Sequence, residues 1–407
     1  MDQITKADSK KDKVEVADIL REHIREYQER YPLGPDQYKI VYDLLNCRTE
    51  HLGGRREKCD HCDHERILYN SCRNRHCPKC QSIPREAWIL KRKAEVLPVP
   101  YFHNVFTLPH DLNSIIPGNK KIMLDLLFNA ASETLLTFGR NAMAGTLGFI
   151  AILHTWDQLL KPHFHLHCLV AGGAISEDGT RWMPCKNDYL FNEEALSEVF
   201  RGKFTHHLTK AYEKHELVFK GINAPFEKPE KFRELKNTLY AKKWVVYVKE
   251  PIKQPDYVLE YLGRYTHRVA ISNHRILSLK DGLVTFKYKN RKTTQIEQTS
   301  IDAIEFVRRF LMHALPRGFV RIRHYGFLAH RDRTKNLEKI RRLLNQPTPP
   351  KTSAKPVEEM MVELTGIDIT LCPCCKKGKM HCLSEIPRGS GLSPAHIIKS
   401  TILRETG

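Results

Sequence analysis

The 407-residue sequence predicts an α+β fold, in which an antiparallel sheet with flanking helices follows a helical, cysteine-rich segment. Three observations carry that expectation. From Tyr101 onward, strand-like and helix-like runs follow one another in the order of an α+β domain. Two β-rich runs, TLGFIAILHTWDQ and PHFHLHCLVAGG, are separated only by a short turn around Leu160-Lys161-Pro162, which suits an antiparallel pair. A second set, RVAISNHRILSL, LVTFKYK and TTQIEQTSI, reads as a small antiparallel group.

The elements follow in order. Residues 1–14 are charged and read as a frayed end. VADILREHIREYQERY and PDQYKIVYDLLNC carry apolar residues at helical spacing. Cys47 to Cys80 holds too few apolar residues for a core of its own, so metal must hold it. PREAWILKRKAEVL is a helix opening at Pro84 and closing before Pro98. YFHNVFTL reads as a strand and GNKKIMLDLLFNAASETLLTFGR as a long amphipathic helix. Residues 192–240 are mostly helical. WVVYVKEP is a strand, PDYVLEYLGRYTHR a helix starting after Pro255, and IDAIEFVRRFLMHAL another helix. Residues 346–357, QPTPPKTSAKPV, read as a linker before a short cysteine-rich tail. The expected units are 1–98, 99–345 and 346–407.

Lys+Arg number 66 against Asp+Glu 47, a net charge of +19, and the excess is spread along the chain. Such a charge points to a polyanion, above all nucleic acid. No apolar run reaches the roughly 18–20 residues of a membrane span, and the polar N-terminus lacks a signal-peptide core. A membrane protein, a secreted protein, a fibrous chain and a coiled coil are excluded. The expected location is the bacterial cytoplasm, in association with the nucleoid.

Of the 12 cysteines, nine cluster at 59–80 and 372–382, with Cys47 just upstream of the first group. Paired Cys-x-x-Cys spacing in a basic chain reads as metal sites in a reducing compartment. Cys59-x-x-Cys62 and Cys77-x-x-Cys80 form two knuckles, expected to close one structural Zn²⁺. Four thiolates leave that ion no open position, so its work is to hold Arg55, Arg56, Arg66, Arg73 and Arg75 towards DNA. Cys47, Cys72 and His76, with one further histidine, form a possible second zinc site; otherwise they are buried thiols and surface histidines. Cys372, Cys374 and Cys375, with His381 and Cys382, form a possible third; otherwise they are unstructured thiols.

Histidines number 21. In His163-Phe-His165-Leu-His167, alternation places His165 and His167 on one face of a strand while Leu166 and Cys168 enter the core. Two histidines side by side on a sheet suit a divalent ion. His163 lies too far from His167 to share it, since four residues of strand span about 13 Å. A third ligand would come from the neighbouring strand or its turn, where His154, Asp157 and Gln158 stand, or from the tyrosine-bearing helix. There Tyr261 and Tyr265 share a face by i, i+4 spacing. A tyrosine stripe is commonly core packing, but Arg264, His267 and Arg268 beside it are poor core residues. A phenolate can attack a phosphodiester that a metal polarises.

Three motifs in this order resemble one family: YNSCRNRHCPKCQ, the His165-Leu166-His167 element in HFHLHCLVAGG, and YLGRYTHRVAISNHRI. From about Cys47 to about His330 the chain is similar to rolling-circle insertion-sequence transposases of the two-tyrosine HUH class, with their N-terminal zinc-binding domain. The resemblance implies an HUH-type antiparallel sheet flanked by helices. It implies Mg²⁺ or Mn²⁺ on His165 and His167. It implies Tyr261 and Tyr265 as nucleophiles that nick single-stranded DNA at transposon ends, form a 5′-phosphotyrosine, and rejoin it to target DNA without ATP. A replication initiator or relaxase of the same superclass is one rival, although no GxxxxGK[ST] motif of a helicase occurs in the chain. A zinc-finger DNA-binding protein without catalysis is the other. Candidate phosphate contacts are Arg73, Arg75, Arg264, Arg268 and Arg275, with Trp156 and Tyr265 available to stack on bases.

Overall fold

A computed structural model describes residues 13–186, 188–349 and 355–399. The first helices, α1 (Val16–Arg30) and α2 (Pro35–Leu45), form where the apolar spacing requires them. A hairpin of β1 (Gly54–Cys59) and β2 (Glu65–Tyr69) crosses the cysteine-rich segment and leads to α3 (Ser82–Lys93). The next region opens with β3 (Tyr101–Thr107), α4 (Lys120–Met143), β4 (Gly145–Trp156), β5 (Pro162–Ser176) and the short β6 (Trp182–Pro184). Next come α5 (Glu193–Glu213), α6 (Pro229–Ala241), β7 (Val245–Val248) and α7 (Pro255–Tyr265). A three-stranded sheet of β8 (Ile276–Lys280), β9 (Leu283–Lys289) and β10 (Ile296–Asp302) precedes α8 (Ala303–Met312). The described chain ends with β11 (Ile322–Gly326), α9 (Arg333–Leu343), α10 (Val357–Thr365) and β12 (Met380–Ile386). Of the expected linker, residues 350–354 lie outside the described residues, as do 1–12 of the expected frayed end.

The central sheet runs β11-β4-β5-β3-β7, with β6 also pairing β5, and its named strand pairs are antiparallel. The α+β class is therefore the one expected. Side chains alternate between the faces of a strand, and here the alternation divides core from site. Phe102 and Phe106 of β3, Phe149, Ala151 and Leu153 of β4, and Phe164, Leu166 and Cys168 of β5 enter a core with α4 and α5. The residues between them face the other way, where Tyr101, Ile150, Ile152, Leu169 and Val258 of α7 make a second core. His103, His154, His165 and His167 have this second parity. The hairpin that aligns them is tight: Asp157 Oδ1 accepts the N–H groups of Leu159 at 2.8 Å and Lys161 at 2.7 Å, and Leu160 sits at φ +61°.

Helix α7 lies over this face against α3. Gly263 makes the approach possible, because a Cβ there would meet Ile89 Cδ1 at 2.7 Å. A third core joins α1 and α2 to α8, Val284 and Phe286 of β9, and Ile398 near the C-terminus. The cores thus cut across the boundaries expected at 98 and 345. The tail does not end as a loose appendage either: β12 pairs antiparallel with β1, and the resulting sheet has the order β12-β1-β2.

Candidate active site

Three ring nitrogens converge at the β4–β5 hairpin. His165 Nε2 lies 3.1 Å from His167 Nε2, which lies 3.1 Å from Nδ1 of His154. His154 and His165 are direct partners across the strands. Among the described residues these three form one of the groups whose donor atoms lie within 4.8 Å of one another. Of the alternatives His154, Asp157 and Gln158 for a third ligand, it is His154 that joins the pair; Asp157 instead holds the turn. His163 is not one of the three; its ring lies 4.6 Å from that of His165 and 5.8 Å from that of His110, between centroids.

The second nitrogen of each ring is also engaged. His165 Nδ1 meets the His163 carbonyl at 2.9 Å, and His154 Nε2 the Tyr265 carbonyl at 3.0 Å. A carbonyl only accepts, so those nitrogens carry the protons and the converging ones carry lone pairs. His167 Nδ1 meets His103 Nε2 at 2.8 Å. Burial, followed by the neighbouring histidines, holds His165 and His167 well below the ordinary imidazole value, and burial lowers His154 to about 3. The rings are therefore neutral at pH 7. Two imidazole nitrogens bound at ~2.1 Å and subtending a right angle stand roughly 3.0 Å apart. The spacing, the neutral rings and the outer hydrogen bonds fit a divalent cation.

The tyrosines stand beside this group. The ring of Tyr265 lies 4.1 Å from that of His167, between centroids. Tyr261 Oη is 2.6 Å from His103 Nδ1, and the Tyr265 hydroxyl donates to Tyr261 Oη at 3.3 Å. A continuous path of hydrogen bonds thus runs from His167 through His103 to both phenols. His103 was missed in the sequence, where YFHNVFTL read only as a strand; its odd-numbered place on β3 was the available signal. Tyr257 is 58% exposed and takes no part.

A cleft of about 1160 Å³ opens over the site, lined by His165, His167 and Tyr265 and by the cations Lys249 and Arg291. Of the arginines expected on DNA, Arg73 and Arg268 are exposed. Arg75 and Arg275 are corrections: Arg75 donates to the Phe319 carbonyl at 2.6 Å, and Arg275 to the carbonyls of Lys287 at 2.8 Å and Gln158 at 2.5 Å. Burial lowers both guanidinium groups. Both tie separate segments of the chain together. The side chain of Arg264 lies outside the described residues. Arg55, Arg56 and Arg66 are ion-paired with Glu57 or Glu65 of the same hairpin.

The cysteines also pair differently from the expected arrangement. Cys77 and Cys80 join Cys47 and Cys72, while Cys59 and Cys62 join Cys372 and Cys375. The two knuckles face different partners because the β1–β2 hairpin carries Cys59 and Cys62 away from α2, whose end supplies Cys47. His76 belongs to neither group: its Nε2 faces the Leu315 N–H at 3.5 Å.

A family model described as “Transposase zinc-binding domain” matches residues 19–108, and one described as “Putative transposase” matches 148–336. A Sinorhizobium fredii protein, “Putative transposase y4qJ”, is 43% identical over 90% of this chain and 94% of its own length. The chain belongs to the same transposase family as this relative. The transposase for insertion sequence element IS801 of Pseudomonas savastanoi pv. phaseolicola is 25% identical over 83% of this chain and 82% of its own. Conjugative relaxase TrwC in complex with OriT DNA superposes with a TM-score of 0.22 and 15% identity, covering 40% of this chain and 71% of that one; so loose a match has no bearing on the assignment. This transposase has no helix, among its described residues, long and apolar enough to cross a membrane.

Proposed function

We propose that this transposase nicks and rejoins single-stranded DNA at the ends of its insertion sequence through a 5′-phosphotyrosine. One observation carries the reading: three converging histidine nitrogens stand within a hydrogen-bonded path of two tyrosines, beside a basic cleft that His165, His167 and Tyr265 line. A Mg²⁺ or Mn²⁺ held by His154, His165 and His167 would polarise the scissile phosphate. In the nicking step a phenol loses its proton and its oxygen bonds to phosphorus. The P–O3′ bond breaks, and the 3′ oxygen takes up a proton and leaves as a free hydroxyl. Attack by a 3′-OH of target DNA reverses the step and releases the tyrosine, so no ATP is needed.

Tyr261 is the first nucleophile in this reading. With its Nε2 lone pair turned to the cation, His167 donates from Nδ1 to His103 Nε2. His103 then donates from Nδ1 to Tyr261 Oη. That oxygen also accepts from Tyr265, so two donors meet the atom on which charge would develop during attack. Lys249 Nζ, 6.0 Å from the Tyr261 ring centroid, adds a positive charge. Tyr265, lining the cleft, serves the second cleavage. Single-stranded DNA at transposon ends and target DNA are the partners, met at the bacterial nucleoid. Zn²⁺ on Cys47, Cys72, Cys77 and Cys80 keeps the N-terminal helices in register with the catalytic sheet.

The test is a covalent adduct on a denaturing gel, from terminal single-stranded oligonucleotides and Mn²⁺. An adduct that disappears in Tyr261→Phe and in His165→Ala supports the reading. No adduct on either end of the element, from protein that binds those ends, would leave a non-catalytic DNA-binding protein.

A further inference from the structure

We infer that Cys59, Cys62, Cys372 and Cys375 form a second structural zinc site, which clasps the C-terminal segment onto the N-terminal hairpin. Neither matched stretch, 19–108 or 148–336, reaches Cys372 or Cys375. The four sulfurs lie within 4.8 Å of one another. Cys59 Sγ is 3.7 Å from Cys375 Sγ, and Cys62 Sγ is 3.7 Å from Cys372 Sγ. Sulfurs at the corners of a tetrahedron with Zn–S bonds of ~2.3 Å stand roughly 3.8 Å apart. A disulfide needs about 2.05 Å, so these pairs are not bonded to each other. Four thiols therefore share one small volume, and Zn²⁺ binds them as thiolates while their protons leave to solvent.

The surroundings are built for such an ion. Backbone N–H groups point at the sulfurs, from His61 to Cys59 Sγ at 3.3 Å and from Gly378 to Cys375 Sγ at 3.3 Å. Gly378 has to be glycine there, because a Cβ would lie 2.5 Å from Cys59 Sγ and 2.5 Å from Asp60 Oδ1. Asp60 Oδ1 accepts the Lys379 N–H at 2.8 Å, and its N–H donates to the Lys379 carbonyl at 3.1 Å. The knuckle at 59–62 and the turn at 372–378 thus fit together through hydrogen bonds and a close backbone approach. The strand that follows the turn, β12, then lies along β1 from Cys59↔Met380 to Gly54↔Ile386. The nearby Cys374 and Cys382 are exposed and stand outside the group.

The full-length protein tests this by its metal content. Mass spectrometry of the metal should give two zinc ions per chain, and Cys372→Ser with Cys375→Ser should give one. An unchanged zinc content in that variant, or one zinc in the wild type, overturns the proposal; the second result is the outcome if Cys59 and Cys62 share an ion with Cys77 and Cys80. Should the variant fail to fold, alkylation of the wild-type chain decides the matter. Cys374 and Cys382 should be modified rapidly, while Cys372 and Cys375 react only after a zinc chelator is added. Equal labelling of all four without chelator refutes the site.

Discussion

Replacing His103 by Phe probes the path between the proposed metal ligand and the proposed nucleophile. His103 is 3% exposed, and its two nitrogens join His167 Nδ1 at 2.8 Å to Tyr261 Oη at 2.6 Å. Phe keeps the ring and removes both partners. A hydrogen bond to a charged group contributes about 1.5–3 kcal/mol, so losing the donor to a developing phenolate slows cleavage by about 10- to 150-fold, at about 1.4 kcal/mol per factor of ten. Losing the outer partner of a ligating histidine weakens metal affinity by about 10- to 100-fold. The two effects separate in a single-turnover assay on a fluorescent single strand, run across a Mn²⁺ titration. The half-saturating Mn²⁺ concentration should rise, and the plateau rate should still fall at least tenfold. A plateau within threefold of wild type, from folded protein, would refute the role given to His103.

Three further outcomes are expected. Gly263→Leu drives a side chain into Ile89, where even a Cβ would stand at 2.7 Å; it should lift α7 and abolish adduct formation while DNA binding persists, and wild-type cleavage would contradict the α3–α7 packing. Binding of single strands should weaken with salt at a slope of about −0.7 per phosphate contact, and Arg291→Ala should flatten that log–log slope by about 0.7; an unchanged slope removes Arg291 from the DNA path. Burial lowers His103 and His154 to about 3 and His313 to about 4. The unfolded chain, near 6.5, therefore binds more protons between those values and 6.5, and the metal-free protein loses stability as pH falls below about 6.5. Each neutral histidine contributes up to about 1.4 kcal/mol per pH unit; a urea midpoint unchanged between pH 7 and 5.5 would show that these rings are not neutral in the fold.

Local periodicity carried much of the site. Alternation in HFHLHCLV put His165 and His167 opposite Leu166 and Cys168, and helical spacing put Tyr261 beside Tyr265, because both are properties of a single element. What escaped depends on pairing between elements. His103 meets His167 only through the β3–β5 register, in which Val105 faces His167. His154 could be separated from Asp157 and Gln158 only by the turn geometry that occupies Asp157. Cysteine spacing is the same for every way of sharing knuckles between ions, so it could not reveal that Cys59 and Cys62 pair with residues near the far end of the chain. Arg75 and Arg275 looked like DNA contacts because sequence shows a charge but not the carbonyl it meets.

The β12–β1 pairing has a consequence for how this transposase folds. Cys62 and Cys372 are 310 residues apart, and closing a loop of that length costs about 5 kcal/mol of chain entropy. The closure also waits on synthesis: β1 emerges early from the ribosome and stays an open sheet edge until β12 arrives. Open edges recruit other strands. A copy of the element whose reading frame stopped before Cys372 would keep every histidine and tyrosine of the candidate site but leave that edge bare. Such a chain, ending at residue 345, is expected in the insoluble fraction of an expressing cell; recovery as a stable monomer would show that the edge is protected by other means. Aggregation of this kind would keep decayed copies from competing with intact ones for the same DNA ends.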